Sequence, residues 1–333
     1  MLGLKLPRLL TISQVPKVFR EQSILFGYRP PRSSAAHCLF SVFQMTNETL
    51  NIWTHFLPAW YFLWKFLAAF DALDAWSDRH AWPFLSYLAT CVLYPLASSF
   101  AHTFSTMSVR TRHVCFFLDY GALTLYSLGS AVAYSAYIFP EEWAGSAFHQ
   151  SYVSFAVLNT IISTTLSCYS RFTEMGQLKF SKAIRTFAFA YPYVYNSVPL
   201  YYRLYLCTVR GCSEKAISMH YMHTAFAWLT CFLFVTHLPE RLAPGRFDFI
   251  GHSHQLFHIC GIIGTRFQME ALLVDMTERR EQLLPYMPAP NFSQTIGPVL
   301  ASTVVSLIII AAFSMTLYTM PKFSRRGSKR KRK

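Results

Sequence analysis

The stretch Ile296–Met320 reads IGPVLASTVVSLIIIAAFSMTLYTM and contains no Asp, Glu, Lys or Arg. A helix that crosses a bilayer needs about 20 mostly apolar residues, so this stretch is long enough to cross once. The chain as a whole is 53% hydrophobic and only 14% charged, whereas soluble domains carry about 25% charged residues. The composition therefore predicts an all-α integral membrane protein. It excludes an ordinary soluble enzyme and a disordered chain.

Seven further apolar stretches precede this one. Together with it they predict eight membrane-spanning helices joined by short loops. Residues 1–48 lie ahead of the first span. In this segment Ser33 and Ser34 can cap a short amphipathic helix over Ala35–Phe43 that lies on the membrane surface; the alternative is a loose tail. The predicted spans are Thr49–Phe70, Trp82–Thr106, Val114–Ile138, Ser151–Tyr169, Thr186–Leu206, Ile217–His237, Gly251–Asp275 and Ile296–Met320.

Positive charge is unevenly distributed along the chain, whose net charge is +14. Most Lys and Arg residues lie before the first span, in every second loop after it and in the C-terminal tail. Because positive residues collect on the cytoplasmic side, both termini are predicted to be cytoplasmic. The expected partner of this charge is the anionic inner leaflet, and we predict no nucleic-acid partner.

The basic tail, residues 321–333, ends in KRKRK. We expect it to bind anionic inner-leaflet lipids. A retrieval signal to the endoplasmic reticulum is the alternative, because Lys329 and Lys331 lie close to the C-terminus.

The eight cysteines include no Cys-x-x-Cys pair, so no cysteine zinc cluster is expected. Cys207 and Cys212 are close enough in sequence for a disulfide if their loop faces outside, and this pairing is left open. Glycosylation of Asn291, which begins an Asn-x-Ser sequon beside the last span, is also left open.

The clearest candidates for chemistry are His254 and His258, which are four residues apart and share one face of a helix. His102, near the end of the second span, and Asp119, near the start of the third, come to the same depth. At a rise of ~1.5 Å per residue, this layer lies about 5–10 Å below the cytoplasmic surface. Three histidines with an open fourth position are a common arrangement for catalytic zinc. We therefore predict that His102, His254 and His258 bind zinc; a hydrogen-bonded cluster without metal is the alternative.

Two further residues can support a catalytic role at this layer. Asp119 can hydrogen-bond a water, orient a ligand histidine or act as a general base, and Ser98 lies one turn before His102. Arg266 and Glu270, deeper in the seventh span, form either an internal ion pair or an anchor for the polar group of a lipidic ligand.

The remaining histidines within spans are weaker candidates. His55 can line the cytoplasmic mouth of the bundle, whereas His220 and His223 are expected at the outer interface.

Five short motifs contain or adjoin most of these candidate residues. They are Asn47–His55 (NETLNIWTH), Ser98-x-x-x-His102, Leu118–Tyr120 (LDY), His237–Arg241 (HLPER) and Ser253–His258 (SHQLFH). Together they resemble the progestin and adipoQ receptor family over nearly the whole chain. The resemblance implies a seven-helix core of the adiponectin-receptor type in residues 49–275 with a cytoplasmic N-terminus. An extracellular loop and an eighth helix follow in residues 276–320.

The resemblance also implies a function. It favours zinc held by His102, His254 and His258, with Asp119 and Ser98 in supporting positions. Similarity to the progestin branch implies a steroid ligand and signalling through an inhibitory G protein, and it leaves the steroid-contacting residues open.

Two functions are therefore expected as alternatives. The first is a plasma-membrane receptor for a progesterone-like steroid, since an apolar helical bundle can admit a steroid from the lipid. The second is a zinc-dependent lipid amide hydrolase of the ceramidase kind, with Asp119 as general base. An ordinary G-protein-coupled receptor is excluded, because its N-terminus would face outside.

Overall fold

The computed structural model describes residues 7–175, 180–212, 214–287 and 289–319. The predicted basic tail, residues 321–333, lies outside these residues. Within them the chain is helical and contains no β-strand; Leu10 and Tyr28 form an isolated antiparallel bridge.

Eight long helices and two short ones follow one another along the described part of the chain. Each predicted span overlaps one long helix. The bounds are α1 Ala35–Phe40, α2 Thr49–Ala72, α3 Trp82–Phe104, α4 Val109–Tyr137, α5 Ala147–Met175, α6 Ser181–Arg210, α7 Ala216–Thr236, α8 Ser253–Glu278, α9 Arg280–Leu283 and α10 Ile296–Thr319.

Short 3₁₀ turns connect the helices and shape the N-terminal segment. They lie at Ile12–Gln14, Lys17–Phe19, Ser41–Phe43, Arg79–Ala81, Glu141–Trp143 and Phe292–Gln294.

Among the residues that the structure describes, four helices are long and apolar enough to cross a membrane: α3, α4, α5 and α10. This confirms the prediction of an all-helical membrane protein with several apolar helices. That all eight long helices cross the bilayer remains a prediction.

The closest packing in the bundle is between α3 and α4, and between α7 and α8. Gly129 of α4 lies directly against Thr90 of α3, where an added Cβ would overlap the threonine side chain. Large aromatic residues fill the shared core around this contact, among them Tyr87, Tyr134 and Tyr152, which are fully buried. The small residue at 129 thus allows α3 and α4 to approach closely.

The segment before α2 is docked onto the bundle. The Asp248 carboxylate, in the loop between α7 and α8, accepts hydrogen bonds from the backbone N–H groups of Leu25 (2.8 Å) and Phe26 (2.9 Å). The buried Arg29 guanidinium donates to the carbonyls of His102 and Thr103, at the end of α3. These contacts hold the N-terminal segment beneath the helix that carries His102.

Within this segment, the Ser34 side chain accepts a hydrogen bond from the backbone N–H of His37 at 3.2 Å and so caps the first turn of α1.

A buried charge network joins α6, α7 and α8 at the opposite end of the bundle. Arg203 donates to both carboxylate oxygens of Asp275, at 2.8 and 2.6 Å. The His220 Nε2 lies 2.7 Å from the same carboxylate. Glu214 also bonds the Arg203 guanidinium. Nearby, Cys207 and Cys212 are joined by a disulfide.

Candidate metal centre and ligand cavity

The structure brings His102, His254 and His258 together. One ring nitrogen of each lies within 4.8 Å of those of the other two. The Nε2 atoms of His102 and His254 are 3.1 Å apart, and the rings of His254 and His258 have their centroids 4.5 Å apart on one face of α8. Residues far apart in sequence thus form one compact group of imidazoles.

Two residues at the start of α2 orient the histidine rings, Glu48 through its side chain and Asn51 through its backbone carbonyl. The Glu48 carboxylate accepts a hydrogen bond from Nδ1 of His102 at 2.7 Å and another from the Asn51 amide at 2.8 Å. The Asn51 carbonyl accepts from Nδ1 of His258 at 3.1 Å. Because Nδ1 of both rings is engaged, the Nε2 atoms are left as electron-pair donors.

His55 adds a fourth imidazole to the group. Its ring stacks on His258 with centroids 3.6 Å apart and an angle of 12° between the planes. His55 therefore packs against the candidate metal ligands. It also lines a cavity in the bundle, as the sequence predicts for this residue.

Glu240 fixes the start of α8. Its carboxylate accepts hydrogen bonds from the backbone N–H of Ser253, at 2.7 Å, and from the Ser253 hydroxyl. Burial alone would raise the pKa of Glu240, but hydrogen bonds from His237 and Ser253 outweigh it and hold the pKa below its ordinary value. An ionised carboxylate at this helix N-terminus is favourable, and it sets the turn that carries His254.

Asp119 and Ser98 lie in the same cavity as the histidines, and their side chains interact with each other. The Asp119 carboxylate is not among the atoms that come within 4.8 Å of one another at the histidine group. It lies beside the candidate ligands and is not one of them.

The donor set fits zinc. Ligand nitrogens of a tetrahedral zinc ion are about 2.0–2.1 Å from the metal, and hence about 3.3 Å from one another. The Nε2 atoms of His102 and His254, 3.1 Å apart, are close to this spacing, and His258 offers a ring nitrogen within 4.8 Å of the other two ligand atoms. A bound zinc ion supplies a Lewis-acidic positive charge at this layer.

A cavity of about 970 Å³ runs from the histidine group into the bundle. Aromatic and small polar side chains line its inner part, including those of Tyr94, Tyr126, Phe189 and Thr265. The cavity is partly open, and charged side chains also line it, among them Lys17, Arg20 and Lys182. The combination of apolar walls and polar groups in its inner part is typical of sites for small lipidic molecules.

The other candidate residues have different surroundings. Arg266 and Glu270 form the predicted ion pair at 3.0 Å, but the pair is not internal: 61% of the arginine side chain is exposed on the outside of the bundle.

His220 and His223 are not exposed, and that they lie at the depth of the outer interface stays a prediction. Both side chains are buried because α7 packs closely against α8: His220 bonds Asp275, and His223 bonds the Gly264 carbonyl.

Sequence reasoning missed the roles of Glu48 and Asn51 as partners of the candidate ligands. The signal was present in the motif Asn47–His55, which contains both residues. Their partners, however, lie on α3 and α8 and could not be identified from local spacing.

Comparisons with known proteins agree with this architecture. Residues 43–269 match the family described as Haemolysin-III related. The chain is 55% identical to membrane progestin receptor gamma-B of Danio rerio, covering 94% of this chain and 95% of that protein. It is 56% identical to membrane progestin receptor gamma of Homo sapiens, covering 97% of this chain and 98% of that protein.

Membrane progestin receptor delta of Homo sapiens is 54% identical, over 96% of this chain and 94% of that protein. The runs Leu4–Pro7 and Phe43–Asn47 already indicate the gamma form within the progestin and adipoQ receptors. The matches confirm that resemblance, and the chain belongs to the haemolysin-III-related family.

Proposed function

We propose that this protein is a plasma-membrane receptor for a progesterone-like steroid. The observation that carries the proposal is the cavity of about 970 Å³, whose inner part lies between the helices and is lined by aromatic and small polar side chains. A steroid is a rigid apolar body with a few polar groups, which is the kind of ligand such a chamber accommodates. Relatives more than 50% identical over nearly the whole chain carry the name membrane progestin receptor, which supports the same ligand class.

Zinc is the second part of the proposal. His102, His254 and His258 hold the ion, and Glu48 and Asn51 orient two of the three rings. Asp119 and Ser98 lie beside the ion, where they can position a polar group of a ligand.

The remaining parts concern orientation and signalling. Both termini face the cytoplasm, on the side where Lys and Arg collect, and the basic tail binds anionic inner-leaflet lipids. Signalling passes through an inhibitory G protein, as the family resemblance implies. A fall in cellular cyclic AMP on progesterone addition, abolished by pertussis toxin, is the expected result. Retention in the endoplasmic reticulum is the alternative location.

The lipid amide hydrolase alternative is not favoured, because the relatives are named as receptors. The same purified protein tests it directly by release of fatty acid from ceramide.

The central experiment measures zinc content and radiolabelled progesterone binding on one purified preparation. The double variant His254→Ala/His258→Ala is compared with the wild type and with His149→Ala, which removes a histidine at the outer end of α5 that bonds the Ser135 carbonyl. We expect one zinc per chain in the wild type and the control and none in the double variant. Saturable progesterone binding is expected in the wild type.

Absence of zinc from the wild type would overturn the metal part of the proposal. Absence of saturable steroid binding to a folded, zinc-loaded wild type would overturn the receptor part. Loss of zinc without loss of steroid binding in the double variant would show that the metal and steroid sites are separate.

A further inference from the structure

The cavity has a second polar region, away from the histidine group. It contains His223 of α7 and Asn196 of α6, and both residues line the cavity. Gly264, which contacts His223, is six residues after His258 along α8, so this region lies about 9 Å from the histidine layer. We refer to His223 and Asn196 as the inner acceptor pair.

The chemistry of His223 follows from its one hydrogen bond. Nδ1 lies 3.0 Å from the Gly264 carbonyl oxygen, which can only accept, so Nδ1 carries the hydrogen. Nε2 of the neutral ring then has a lone pair. The side chain is 4% exposed, and Nε2 has no hydrogen-bond partner among the residues that the structure describes.

The same reasoning applies to Asn196. Its amide nitrogen donates to the carbonyl oxygen and to the hydroxyl of Ser127, both at 2.9 Å. The contact with the carbonyl identifies that end of the amide as the donor, so Oδ1 is the acceptor. Asn196 is also 4% exposed, and within the described ranges its Oδ1 is unpaired.

Two buried acceptors without donors are unfavourable unless a water or a ligand in the cavity supplies the hydrogen, and a ligand that fills the cavity must replace any such water. We propose that Nε2 of His223, in the inner acceptor pair, accepts a hydrogen bond from a hydroxyl group of the lipidic ligand. This deepens the proposed function and rests on it, because the hydroxyl is carried by a ligand that occupies the same cavity.

A hydroxyl fits this pair better than the other polar groups that a lipid carries. A ketone offers only lone pairs, which would face the lone pairs of Nε2 and Oδ1. An ammonium would bring a full charge to two neutral acceptors in a buried region, at a high desolvation cost. The cavity should therefore distinguish a hydroxylated ligand from its ketone counterpart.

The test compares progesterone, whose two polar groups are both ketones, with its derivatives in which the 3-ketone or the 20-ketone is reduced to a hydroxyl. Competition against a radiolabelled steroid gives the relative affinities on the purified full-length protein. Ceramide is the fourth ligand, because it carries hydroxyl groups on a hydrocarbon body, and its binding is also measured directly with radiolabelled ceramide.

Three variants accompany the wild type. His223→Phe removes the acceptor and keeps an aromatic ring. His223→Gln keeps an amide oxygen near the position of Nε2. Asn159→Leu on α5, a polar position that does not line this cavity, is the control for a general loss of packing. Zinc content and the size-exclusion profile verify that each variant is folded.

We expect one reduced steroid to bind the wild type about tenfold more tightly than progesterone, which corresponds to one good hydrogen bond. His223→Phe should abolish this preference with little change in progesterone affinity. His223→Gln should retain most of it, and Asn159→Leu should retain all of it.

Equal affinity of all three steroids for the wild type would overturn the hydroxyl subsite and leave the receptor proposal intact. So would a preference that survives in folded His223→Phe. If ceramide binds in a His223-dependent manner and no steroid binds, the subsite is supported and the steroid receptor proposal is overturned.

Discussion

The Glu48 carboxylate and the His102 imidazole form a 2.7 Å hydrogen bond between the residue preceding α2 and the last turn of α3. Both residues are buried. The bond fixes the rotation of the ring and directs Nε2 of His102 towards His254, which lies 3.1 Å away. A residue outside the predicted spans thus controls the geometry of the candidate metal centre.

Removing this bond should weaken zinc binding. Loss of the carboxylate partner of a ligand histidine typically costs 10–100-fold in metal affinity, so we expect Glu48→Ala to lower zinc affinity by about that factor. Glu48→Gln keeps an acceptor oxygen but no charge, so its zinc affinity should lie between those of the wild type and Glu48→Ala. Competition with a chelator measures the affinity. Glu278→Ala, at an exposed residue that pairs with Lys215, is the control. Wild-type affinity in a folded Glu48→Ala protein would contradict this role.

The buried pair Arg203–Asp275 should be a major contributor to stability. Asp275→Asn leaves the buried Arg203 guanidinium with only the half-exposed Glu214 as a charged partner, and it is expected to cost about 3–5 kcal/mol. The double variant Arg203→Met/Asp275→Leu should recover part of this loss. Thermal unfolding of the detergent-solubilised protein, followed by circular dichroism, gives the comparison.

The exposed pair Arg210–Glu142, which lies outside the predicted spans, is the matched control for that experiment, since water-exposed ion pairs contribute little. Similar losses from Glu142→Gln and Asp275→Asn would argue against a special role for the buried pair.

Glu240 should make stability depend on acid pH. Its pKa in the folded protein is below its ordinary value, because hydrogen bonds from His237 and Ser253 favour the ionised form over the effect of burial. The stabilisation is therefore complete above the unfolded pKa and is lost as pH falls through the folded pKa. As the pH falls from above the unfolded pKa to below the folded pKa, the melting temperature of the wild type should fall more than that of Glu240→Gln. Parallel pH profiles for the two proteins would refute the assignment.

A side chain at position 129 should lower the stability of the folded protein. A methyl group there would overlap Thr90 of α3, so Gly129→Ala is expected to cost about 1–3 kcal/mol. Gly261→Ala is the matched control, because a Cβ at that helical position has no atom within 4 Å. Alanine should be neutral or favourable there by up to about 1 kcal/mol. Equal melting temperatures for the two variants would show that α3 and α4 can separate without cost.

The positions of the long helices could be predicted from apolar runs, but their ends could not. The fifth predicted span, Thr186–Leu206, corresponds to α6 at Ser181–Arg210. The fourth, Ser151–Tyr169, corresponds to α5 at Ala147–Met175. Hydropathy falls where polar side chains begin, whereas backbone hydrogen bonding continues past that point, so the helices extend beyond the apolar runs.

The candidate site could be predicted only in part. His254 and His258 could be grouped by their i, i+4 spacing. His102 could be added because it is predicted at the same depth in the membrane. The partners of His102 and His258, in contrast, arise from packing between distant helices. The burial of His223 depends on the contact of α7 with α8, which position in the sequence does not indicate.

The attachment of the N-terminal segment has a practical consequence for protein engineering. A chain shortened to begin at Thr49 would lack Arg29, which bonds the last carbonyls of α3, and Glu48, which bonds His102. It would also leave the Asp248 carboxylate without the backbone donors of Leu25 and Phe26. The smallest autonomous folding unit therefore begins well upstream of the first hydrophobic helix, and truncation or fusion points should be chosen before residue 25.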